Sequence, residues 1–173
     1  MPHRTTRKPA KLEWKWVQPK ITRREYELHA GGERLAALRR IRIFGSLAEL
    51  DTADGRWTLK RQGFLRPRVS VRRAGSEDEY ATLVLSWLGD GALHMSDGRA
   101  FAWKRGFWSR QYTLTTEQGE ELIVLKPTLA FVKVGAKVTI HPSAADISGL
   151  SLLAGIGWYV MLLEFDEACS GAA

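Results

Sequence analysis

Cysteine is almost missing from this chain. Cys169 stands alone, so no internal disulfide can form, and a reducing compartment fits. Histidine is sparse as well: His3, His29, His94 and His141 are scattered, and none has a second metal-type ligand at a familiar spacing. Ser86, Ser96 and Ser109 lack a nucleophile-elbow context, and no phosphate-cradling loop of the Walker type occurs. Cys169 lies among acidic residues, the wrong setting for a reactive thiolate. His94 and His141 read as strand residues. No catalytic constellation is left, so no enzyme activity, cofactor or metal is expected. The N-terminus has no apolar h-region and only a weak transit-peptide pattern, so a cytoplasmic location is expected.

Long apolar runs are also absent, with one exception. Ile147 to Leu163, ISGLSLLAGIGWYVMLL, is uninterrupted by charge. A membrane span needs about 20 predominantly apolar residues. This run is shorter, contains glycine and serine, and is flanked by Asp146, Glu164, Asp166 and Glu167 without nearby Lys or Arg. A surface helix is equally unfavoured, because the run has apolar residues on every side. A tail anchor and a pair of strands are the competing readings; a helix wrapped on all sides is preferred. Pro142, then Ser143 with Asp146 three residues on, has the spacing of a capping box and predicts a helix over about 143–165.

At 173 residues the chain suits one domain, here placed at 11–167 with a flexible basic arm at 1–10 and a tail at 168–173. The net charge of +7 is unevenly spread. Residues 1 to 24 carry eight basic side chains against Glu13 alone, and the remainder sums to zero. Such an arm attracts nucleic acid or anionic lipid, or is a solvated tail. Residues 34 to 110 hold fifteen basic against eight acidic residues, and 111 to 173 hold three against seven.

The rest reads as short strands. Leu12, Trp14 and Trp16 alternate with Glu13 and Lys15, and seven tryptophans imply a core of large rings. Tyr26 to Ala30 and Arg34 to Arg39 flank a Gly31-Gly32 turn; Arg40 to Phe44 continues the alternation. Asp54-Gly55 marks another hairpin. After Pro127, Ala130 to Val134 and Lys137 to His141 flank Gly135 as a last hairpin. About twelve strands at close spacing argue for a barrel or sandwich. The chain also repeats. Asp54-Gly-Arg returns as Asp97-Gly-Arg, Lys60-Arg61 as Lys104-Arg105, and Gly63-Phe64 as Gly106-Phe107, the spacing of a duplicated multi-strand unit.

A strand-rich body with repeated Asp-Gly turns, closed by ISGLSLLAGIGWYVMLLEF, resembles the tubby C-terminal-like superfamily, and within it the LURP-one-related branch that includes phospholipid scramblases. The resemblance implies a closed antiparallel barrel of about twelve strands around a buried hydrophobic C-terminal helix. It also implies binding of phosphoinositide or phospholipid head groups. No calcium-binding acidic run or palmitoylatable cysteine cluster of the scramblase kind is present, so lipid scrambling is not expected.

The residues themselves offer one candidate site. Lys60, Arg61, Arg66 and Arg68 surround Gly63-Phe64-Leu65; Lys104, Arg105 and Arg110 surround Gly106-Phe107-Trp108. Arginine forks suit phosphate groups, and Phe64, Phe107 and Trp108 suit a membrane interface. The expected function is therefore a non-enzymatic binding module for anionic phospholipid at the inner face of the membrane. The bland alternative has these arginines solvated or paired with Glu77, Asp78 and Glu79. The other class is a scaffold whose basic arm binds protein or nucleic acid, though no nucleic-acid fold signature supports the latter. The oligomeric state is open.

Overall fold

The computed structural model describes residues 10–41, 45–130 and 133–171. All but the last residue of the arm expected at 1–10, and residues 42–44 of the expected strand, lie outside the described residues. Twelve strands follow one another. They are β1 (Leu12–Val17), β2 (Glu25–Ala30), β3 (Glu33–Arg40), β4 (Ala48–Thr52), β5 (Gly55–Gln62) and β6 (Arg68–Arg73), then β7 (Glu79–Leu85), β8 (Gly91–Met95), β9 (Ala100–Arg105), β10 (Tyr112–Thr115), β11 (Glu121–Ala130) and β12 (Lys133–Ile140). Each pairs antiparallel with its neighbours in sequence, and β1 closes on β12, leaving no open edge. One helix follows, α1 (Leu150–Ser170).

The helix is the core of the barrel. Every residue from Leu152 to Leu163 is buried, with no solvent-facing side. Trp158 stacks on Trp16 of β1 at 5.8 Å and meets the edge of Tyr26 of β2 at 5.4 Å. A Cβ on Gly155 would lie 2.4 Å from Leu50 of β4, and one on Gly157 would lie 2.9 Å from Trp103 of β9 and 3.1 Å from Leu125 of β11. Walls on several sides therefore touch the helix backbone itself. That is why a run with weakened helix propensity carries glycines here. No helix among the described residues is long and apolar enough to cross a membrane.

Three expectations need correction. The helix starts at Leu150, not near Ser143. Pro142–Ala144 is a separate 3-10 turn, the Ser143 hydroxyl donates to the Glu121 carbonyl rather than capping a helix, and the N-cap is Gly149 in the left-handed region. The helix also runs through Cys169 to Ser170, so residues 168–170 of the expected tail belong to its last turn. The last hairpin does not turn at Gly135: β11 passes through Pro127, and Gly135 lies inside β12 opposite Thr128. A Cβ on Gly135 would sit 2.7 Å from the Trp16 carbonyl, so this glycine marks a close strand approach rather than a turn.

Because consecutive strands are antiparallel, their connections alternate between the two rims. The β2–β3, β4–β5, β6–β7, β8–β9 and β10–β11 turns share one rim, where the helix enters: the Arg99 guanidinium donates to the Ser148 carbonyl just before α1. The β1–β2, β3–β4, β5–β6, β7–β8 and β9–β10 connections share the other rim, where the helix leaves.

Candidate functional site

Strand alternation settles what each Lys-Arg pair does. In β5, Trp57 and Leu59 face the interior, so Arg61 does too and Lys60 faces out. In β9, Phe101 and Trp103 face in, so Arg105 follows and Lys104 faces out. In the register, Lys60 stands opposite Ser70, and Lys104 opposite Thr113.

The two inward arginines meet the end of α1. Arg61 donates to Glu167. Arg105 Nε lies 3.4 Å from Glu164, which also accepts from the Tyr112 hydroxyl. Asp166 completes the set, paired with the buried Arg40 and, at 3.7 Å, with Arg24. Burial pushes the Glu164 carboxyl above its ordinary value, although Tyr112 and Arg105 oppose the shift. Burial, then the Glu164 hydrogen bond and charge, push the Tyr112 phenol up as well. Tyr159 ties the helix to the same rim: its hydroxyl donates to the Ser46 carbonyl and accepts from the Arg61 amide at 3.0 Å.

Arg68 is also engaged. Its Nη2 donates to both oxygens of Glu79, which accepts from Thr82 at 3.0 Å and lies 3.7 Å from Arg72. Burial opposes ionisation of Glu79, but Thr82, Arg68 and Arg72 outweigh it and hold its carboxyl below the usual value. The seven basic candidates thus separate. Arg61, Arg68 and Arg105 are paired with carboxylates of the protein itself. For Lys60, Arg66, Lys104 and Arg110, no carboxylate partner occurs among the described residues.

The aromatic half of the site is larger than expected. Phe64 is 94% exposed, Phe107 85% and Trp108 93%. Beside Phe64, Leu65 is exposed too. The β7–β8 connection, between these two, adds Trp87 at 87% exposure and Leu88. Ile21 and Ile41 are exposed on the β1–β2 and β3–β4 connections. Nearly all the exposed large apolar side chains among the described residues therefore stand at the helix-exit end. Trp87 and Trp108 do not belong to the core that seven tryptophans suggested; Trp16, Trp57, Trp103 and Trp158 do.

These tips are not needed to shape their loops. The β7–β8 loop is closed by Ser86 N–H donating to Asp90 O at 2.6 Å, and the β9–β10 loop by Gly106 N–H donating to Gln111 O at 2.7 Å. Phe107 and Trp108 pack only edge to face on each other, at 5.3 Å. Arg110, beside them, is the one non-glycine residue at positive φ among those described, at +48°, a conformation that costs a side chain roughly 1–2 kcal/mol. Apolar patches of this kind on a folded chain mark interaction surfaces. Among the described residues, no group of three or more His, Cys, Asp or Glu side chains is placed to hold a metal ion. Comparison with protein-family models, with curated proteins and with solved structures finds no match.

Proposed function

We propose that this chain is a tubby-like, non-enzymatic binding module that attaches peripherally to anionic phospholipid, at the cytoplasmic face of a membrane, with its helix-exit rim foremost. The observation that carries the reading is the set of three adjacent loops, each offering two large exposed apolar side chains: Phe64-Leu65, Trp87-Leu88 and Phe107-Trp108. Arg66 and Arg110 on these loops, with Lys60 and Lys104 on the outer wall just behind, stand where head-group phosphates would lie. Aromatic tips at the interface with cations behind them combine hydrophobic and electrostatic attraction, and stable attachment takes both.

Co-sedimentation with phosphatidylcholine vesicles, with and without phosphatidylserine, tests the reading. Binding is expected to strengthen several-fold with the anionic lipid and to weaken, without vanishing, as salt is raised. Absence of binding to either vesicle would overturn it and leave a scaffold whose rim meets another protein.

A further inference from the structure

The last two turns of α1 are built against their own helix. Glu164, Asp166 and Glu167 stand near its C-terminus, and no basic residue lies in the last turn to offset them. Carboxylates there oppose the helix dipole. What holds this end down is the barrel: Arg40 and Arg24 on Asp166, Arg105 and Tyr112 on Glu164, and Arg61 on Glu167. These contacts are graded. The Arg40 side chain is almost fully buried, whereas Glu167 is mostly exposed and Arg61 partly so. A small cavity of about 120 Å³ opens beside the outermost pair, lined among others by Arg61, Arg105, Trp87, Leu163, Glu164 and Glu167. The Trp87 loop touches the same cluster, since Gly89 packs on Arg105 and the Arg105 amide donates to Asp90 at 2.8 Å.

We propose that the last turn of α1 is an intramolecular competitor: the Glu167 carboxylate occupies the Arg61 guanidinium until a phosphate group of an anionic lipid takes its place and the turn is released. The inference rests on the rim reading above and adds its regulation. Carboxylate and phosphate oxygens compete for the same guanidinium fork. The loop that would enter the membrane borders the cavity, so a docked rim brings phosphates to that pair. Once Arg61 is taken, nothing offsets the unfavourable charge of Glu167 at the helix end, and the turn frays. The deeper Arg40–Asp166 pair keeps the rest of the helix seated.

The test is amide hydrogen exchange of the C-terminal peptide 164–173 in the full chain, with vesicles of phosphatidylcholine alone and with phosphatidylserine. Exchange of that peptide is expected to accelerate on the anionic vesicles and to stay unchanged on the neutral ones. Glu167→Gln removes both the competitor and its unfavourable charge, so it should bind the anionic vesicles about fivefold more tightly, the worth of one arginine near such a surface, and its C-terminal exchange should no longer accelerate on them. Glu77→Gln, the same charge change on an exposed side chain at the opposite rim, should do neither. Wild-type protein that binds anionic vesicles with its C-terminal exchange unchanged would overturn the competitor and leave the rim reading standing. Failure to bind any vesicle would overturn both.

Discussion

Gly155→Asp is expected to yield no soluble folded protein. Gly155 sits in the second turn of α1, within its fully buried stretch, and even a Cβ there would overlap Leu50 at 2.4 Å. An aspartate adds a carboxylate against the Leu50 side chain, and an unpaired charge in a protein interior costs several kcal/mol. Overpacking adds about 1–3 kcal/mol. Set against a total stability of roughly 5–15 kcal/mol for a domain, the two together suffice to unfold it. Gly155→Ala, which adds only the overlap, should fold with a lowered melting temperature. Circular dichroism and thermal unfolding of the two variants check this. A cooperatively folded Gly155→Asp protein would mean that the helix does not lie inside the barrel.

Replacing Phe64, Trp87, Phe107 and Trp108 together by serine is expected to weaken vesicle binding about a thousandfold while leaving the fold intact. Burying a large apolar side chain fully is worth about 1.5–3 kcal/mol. Partial insertion retaining about 1 kcal/mol each makes the sum about 4 kcal/mol, or roughly three powers of ten at 1.4 kcal/mol per tenfold. The four side chains are at least 85% exposed and contribute nothing to the core, so the melting temperature should hold or rise. Co-sedimentation and thermal unfolding on the same preparation separate the two effects. A variant that binds like wild type would remove the apolar tips from the site.

The barrel and its filling were legible because their signals are local. Period-2 runs such as Leu12-Glu-Trp-Lys-Trp mark strands, and a helix apolar on all sides has to be surrounded. The ends of α1 were not legible. Ser143 and Asp146 have the right spacing for a cap, but Ser143 bonds instead to Glu121, on a strand distant in sequence. Within the candidate site, the exposed aromatics at Phe64 and the Phe107-Trp108 pair could be read from the duplicated turns. Trp87-Leu88 lies outside the matched segments; its signal was an apolar pair inside a Ser-Gly-Asp turn, where no core contact is available. The division of the arginines was half legible. Alternation from Trp57 and Leu59 already points Arg61 inward, but its partner Glu167 is 106 residues away, and no spacing rule brings the two together.

The most direct measurement places an environment-sensitive dye at either end of the barrel. With Cys169→Ser as background, Phe107→Cys labels the helix-exit rim and Ser76→Cys the helix-entry rim. On vesicles containing phosphatidylserine, the dye at 107 is expected to shift to the blue and resist aqueous quenchers, while the dye at 76 stays as in buffer. A shift at 76, or bound protein with neither dye shielded, would contradict attachment through the helix-exit rim.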